Sequence, residues 1–286
     1  MFKVCKHQLL SSLGSPRFYI ALFVGIVVHS LNILPFLELS KAIGEPIGIT
    51  EGFLLFNNDI FSLAAASLGI IILISDIPFS SQNETYTLLR LSRLEWVSGK
   101  ILYLLFACSI YYLITFLSGV VLQLGNLSFN SEWSVPMQML ANDTSGSLSS
   151  QFGINFPGYV LYTYSPFQAF SISLVCSIAY AFILSLITFW FNLKCKASLA
   201  YFLSVMFHVV NYFMTKIFPT SAFWKYSLFA NSSLRYHRFE IYTNSHKLLT
   251  VSQSCLVFFA FEMILFVLIY RAVRKYDFKI TVGTNQ

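Results

Sequence analysis

Residues 167–216 read "FQAFSISLVCSIAYAFILSLITFWFNLKCKASLAYFLSVMFHVVNYFMTK". Two long apolar runs are parted only by "NLKCK", Asn192 to Lys196. A helix of about 20 apolar residues crosses the roughly 30 Å hydrocarbon core of a bilayer. A link this short returns the chain at once, so the two runs, 167–191 and 197–216, form an antiparallel membrane hairpin. Working outward, the same criterion predicts spans at 18–38, 59–77, 101–123 and 251–270. The expected fold is an all-α integral membrane protein with six transmembrane helices in one domain, residues 1–286.

Composition agrees with that class. Of 286 residues, 56% are hydrophobic and only 10% charged, against about 25% charged in average soluble domains. A net charge of +6 would suggest nucleic acid in a soluble protein. Here the positive-inside rule accounts for it, and no nucleic-acid partner is expected. The five cysteines (Cys5, Cys108, Cys176, Cys195, Cys255) show no paired spacing, which argues against a disulfide framework or a metal site.

Before the first span, Phe2, Cys5, Leu9 and Leu13 recur at helical spacing, with Lys3, Lys6 and His7 off that stripe. This predicts an interfacial helix over 2–14 rather than a cleaved signal, ended by Gly14-Ser15-Pro16. Six spans put both termini on one side. That side holds twelve Lys and Arg against six on the other, so both termini are expected in the cytoplasm of a multi-pass cell-membrane protein. The second span, rich in Ala, Ser and Gly, is suited to close helix packing. The outer connections, 39–58, 124–166 and 217–250, are long, and the middle one, rich in Ser, Asn and Gly, is expected to be loop-like. Asn126 and Asn142 begin sequons, which chance explains in so Ser- and Asn-rich a segment.

Between the second and third spans lies "NETYTLLRLSRLEWVSGK", residues 83–100. Pro78 stops the second span, and Ser81 and Glu84 have capping-box spacing for a new helix outside the bilayer. Trp96 is expected at headgroup depth and Lys100 snorkelling at the start of the third span. Leu88-Leu89-Arg90, Ser92-Arg93 and Gly99-Lys100 resemble the same region of ABC-2 type permeases, the membrane subunits of ATP-driven exporters. The chain departs from many of them in having Tyr86-Thr87 where they have Gly-Thr, and in lacking a proline near Ser-Arg. The likeness, weaker outside this motif, extends to the family plan: interfacial elbow helix, six spans, cytoplasmic termini and an outer segment before the last span. The resemblance implies that this region is a coupling helix docking on an ATPase, carried by Glu84, Tyr86, Leu88, Leu89, Arg90, Ser92 and Arg93. It also implies two copies of a cytoplasmic ATP-binding subunit, which would hold ATP and Mg. A second permease copy, identical or similar, would complete the path. The substrate class it favours is amphipathic or hydrophobic, best a peptide or peptide toxin, with drug efflux or self-protection as the alternative. This chain has no G-x-x-x-x-G-K-[ST] and is not expected to hydrolyse ATP.

Glu262, mid-span in "CLVFFAFEMILFVLIYR", should face protein or water, because a charge at that depth costs about 2.5–3.5 kcal/mol or more. Candidate partners are His29 and Asn32 in the first span and His208 and Asn211 in the fifth. These groups serve either a substrate path or helix packing. They lack metal-ligand spacing, and no catalytic residue is assigned. The span serines lack a G-x-S-x-G setting, and one deep carboxylate cannot make a two-aspartate protease. A secondary transporter is the other alternative, although the sequence shows neither repeats nor broken helices.

Overall fold

The structure, a computed structural model, describes residues 1–75, 77, 91–217, 225–239 and 248–275. Its helices are α1 (Phe2–Leu13), α2 (Pro16–Ile43), α3 (Glu51–Asn58), α4 (Ile60–Ile74) and α5 (Arg93–Gln123). Then follow α6 (Val135–Ala141), α7 (Ser147–Phe152), α8 (Gly158–Thr163), α9 (Pro166–Lys194), α10 (Ala197–Ile217) and α11 (Val251–Lys275). Five of these are long and apolar enough to cross a membrane, and α3 with α4 makes a sixth if that pair, bent by 90°, is one span. The chain is a multi-pass helical membrane protein.

Local chemistry sets the ends. Pro16 opens α2 after an extended Ser15, and Gly44 closes it in the left-handed region at φ 81°. Ser92 and Glu95 form a capping box on α5, and Ser165 and Gln168 form one on α9. The expected box at Ser81 and Glu84 lies outside the described residues, as does most of the expected coupling helix. The helix that carries the third span is continuous from Arg93, eight residues before the expected start of the span.

α9 is the most buried span, packing against α4, α5, α10 and α11. α2 packs on α4 and α5 through small residues. A Cβ added at Gly119 would stand 2.4 Å from His29 Cε1, and one at Gly25 would stand 2.7 Å from Thr115 Oγ1. These contacts carry the close approach that Gly permits between helices.

At the terminal end of the bundle, α1 lies along the first turns of α5. Ser12 Oγ and Tyr103 OH are 2.7 Å apart, and Lys100 Nζ donates to Gln8 Oε1 at 2.5 Å. Lys100 is therefore buried under α1 rather than snorkelling, and Trp96 is buried against Phe189. The reason is that α1 covers this turn of α5, which a reading of α5 by itself treats as lipid-facing. Val4, Cys5 and Gln8 face the bundle, while Phe2, Leu10 and Leu13 are exposed.

The opposite end is not a set of loops. Residues 39–58 and 124–166 contribute α3, α6, α7, α8 and a two-residue parallel pair, Ile47–Gly48 with Leu127–Ser128. Together with the turns at 230–232 and 234–236 they form a cap over a second apolar core, centred on Phe36, Leu54, Met137, Phe156, Val160 and Phe239. Glu51 staples this cap. Its carboxylate accepts the N–H of Ser134 (2.7 Å) and of Gly48 (2.9 Å) and the Ser134 hydroxyl (2.5 Å).

Candidate functional site

Three helices leave a space between them. On α11, Glu262, Phe266 and Tyr270 recur every fourth residue and face one way. On α5 the facing stripe is Ser98, Leu102 and Leu105, and on α9 it is Val175, Ala179 and Phe182. The groove so formed is partly open, measures about 580 Å³ and is lined almost wholly by apolar atoms. Phe182 and Phe266 meet across it edge to face at 6.1 Å. At the terminal end Ser98 Oγ and Tyr270 OH, 2.9 Å apart, tie α5 to α11, and Met1 is among the lining residues. Glu262 stands at the other end of the stripe, half-buried, about 12 Å away along the helix.

Glu262 does not pair with the polar residues suggested for it. His208 lies between α4, α9 and α10, and both ring nitrogens are engaged. Its Nε2 donates to the Ala64 carbonyl at 3.1 Å, which leaves Nδ1 to accept from Tyr180 OH at 2.8 Å. Tyr180 points away from the Val175–Ala179 stripe, so α9 separates His208 from Glu262. His29 Nδ1 donates to the Thr115 carbonyl at 2.7 Å, and the ring packs on Phe53 and Phe56. Asn32 donates to Ser62 Oγ at 2.7 Å. Asn211 donates back to Phe207 O of its own helix at 2.9 Å. Each of these four groups has a local hydrogen-bond partner. Among the described residues Glu262 has no hydrogen-bond or ion-pair partner.

Of the residues expected to dock an ATPase, Glu84, Tyr86, Leu88, Leu89 and Arg90 lie outside the described residues. Ser92 is spent on capping α5. Arg93 reaches the end of α11, donating to the carbonyls of Arg274 (2.8 Å) and Val273 (3.4 Å). This cation satisfies carbonyls that a helix C-terminus leaves without intrahelical partners, and it complements the helix dipole.

The sequence reading missed the break between α3 and α4. Asp59 is extended there, and its Oδ2 accepts Ser62 N at 2.9 Å and Ser62 Oγ at 2.6 Å, capping α4. Beside it Asn57 bonds Ser177 on α9, and Asn58 is reached by Ser233 and by the Arg235 guanidinium. The signal was present as "NND" between two apolar runs, with Ser three residues beyond Asp.

Comparison with protein-family models, with curated proteins and with solved structures returns no match.

Proposed function

We propose that the chain is the permease subunit of an ATP-driven exporter of the ABC-2 type, with both termini in the cytoplasm of a cell-membrane protein. A separate ATPase binds residues 80–95, and a second permease completes the path. The observation that carries the reading is the arrangement around Arg93. Within the coupling motif, at Arg93, the chain enters α5, which α1 clamps along one side and which Arg93 bonds to the last turn of α11. A push delivered to residues 80–95 would thus reach two helices that wall the Glu262 groove. The motif Leu88-Leu89-Arg90, Ser92-Arg93, Gly99-Lys100 supports the choice of family. The apolar groove supports an amphipathic or hydrophobic substrate, with a peptide as the best choice.

Arg90→Glu with Leu89→Asp tests this without touching the Arg93 bonds. Co-purification with the ATP-binding subunit from the same cells is expected to fall at least tenfold, with the permease still monodisperse. Undiminished recovery and undiminished substrate-stimulated ATP hydrolysis would overturn the reading.

One observation favours a second reading, a secondary transporter. The 90° break at Asp59, set among Asn57, Asn58, Ser62 and Arg235, is the kind of discontinuity such proteins place at a substrate site. Transport that survives ATP depletion and stops on collapse of the ion gradient would select it.

A further inference from the structure

We propose that the groove between α5, α9 and α11 is a binding site for a lipophilic monocation, with its charge at Glu262 and its apolar body against Val175, Ala179, Phe182 and Phe266. Two observations meet in one place. The candidate partners in the spans are held elsewhere: His208 by Tyr180 and Ala64, His29 by Thr115, Asn32 by Ser62. Among the described residues the buried hydroxyls of Tyr112 and Ser173 also lack a partner, but Glu262 is the carboxylate without one that opens on this cavity. A carboxylate at this depth with no cation beside it is costly. A cationic ligand offsets that cost, whereas an acyl chain or an anion does not.

The walls define the rest of the ligand. A cavity of about 580 Å³ falls within the roughly 300–1,000 Å³ range of drug-sized sites, which are apolar with few polar groups. The rings of Phe182 and Phe266 offer π-faces that attract cations, quaternary ones included. The Ser98–Tyr270 pair closes the terminal end, so the ligand's length is limited to about the 12 Å between Tyr270 and Glu262.

This inference rests on the export reading only for the statement that such a cation is the cargo. Binding is measured without any ATPase. The probe is tetraphenylphosphonium, with tetraphenylborate as a size-matched anion, in equilibrium dialysis of the full chain in zwitterionic-lipid nanodiscs against empty nanodiscs. Expected is saturable binding of the phosphonium, one per chain, and none of the borate. Glu262→Gln should weaken the phosphonium at least tenfold, Glu262→Asp should keep most of the affinity, and Ala179→Phe should abolish binding by filling the groove. Equal binding by Glu262→Gln and wild type overturns the proposal, and so does saturable binding of both ions. Absence of phosphonium binding also overturns it, assigning the groove to a phospholipid or a second copy according to what native mass spectrometry finds there. A permease that binds phosphonium but recruits no ATPase sinks the export reading and leaves this one standing.

Discussion

His237 shows how far burial alone can move one residue. It lies in the cap, 1% exposed, with Nδ1 donating to the Ser233 carbonyl at 3.0 Å and Nε2 without a partner among the described residues. Burial holds its pKa down at about 4, against an ordinary value near 6.5. The unfolded chain therefore takes the proton first. The stability this neutral ring supports is complete above about pH 6.5 and is lost as pH falls toward 4, at up to about 1.4 kcal/mol per pH unit. Thermal unfolding in detergent at pH 7.5 and pH 5 should show the drop, and His237→Asn, which keeps a donor but does not titrate, should shrink it by several degrees. An equal drop in the variant would assign the effect elsewhere. Asp143 is the opposite case: half-buried, and held at about 2 chiefly by the N–H of Ser149, it stays charged throughout that range. Gly119 makes a residue-scale prediction of another kind. Ala there drives a methyl into His29 and Ile33, so Gly119→Ala should destabilise by about 1–3 kcal/mol, read as a lowered unfolding temperature.

At the scale of elements, the long spans were legible because apolar length is a local property. The 192–196 link is the clearest instance, since α9 ends at Lys194 and α10 begins at Ala197. What escaped depends on neighbours far away in the chain. Lys100 looks like a snorkelling anchor until α1 buries it, and Glu51 looks like a loop carboxylate until Ser134 meets it 83 residues later. Cys176 and Cys255, without paired spacing in sequence, come near each other as α9 meets α11. Copper-phenanthroline oxidation should therefore join them, seen as a linked peptide in mass spectrometry and absent in Cys176→Ser. Failure to cross-link would contradict the α9–α11 packing and with it one wall of the groove. The α3–α4 break was legible in part, since Asp59 and Ser62 have N-cap spacing. Asp59→Ala removes both bonds to Ser62 and should cost about 0.5–2 kcal/mol, or roughly 2–4 °C per kcal/mol in a domain of this size.

For the whole molecule, the orientation argued from the Lys and Arg distribution has a direct check. Leu94 is exposed at the terminal end and Ser145 is exposed in the cap. Single cysteines at these positions, labelled on intact cells with an impermeant reagent, should react at 145 and not at 94. The reverse would invert the topology and remove the docking proposal with it. The same geometry bears on movement. At 31 residues, α5 is about 46 Å long against a hydrocarbon core of roughly 30 Å, so it reaches past the bilayer as a rigid rod. Its tightest seam with α2 is at Gly119, near the cap, about 39 Å of helix from Arg93. That seam is a fulcrum and the rest of α5 a lever arm: a tilt of about 5° sweeps Arg93 by about 3 Å. Because Arg93 holds the last carbonyls of α11, small work at the terminal end becomes a change in the gap through which anything beside Glu262 must enter or leave.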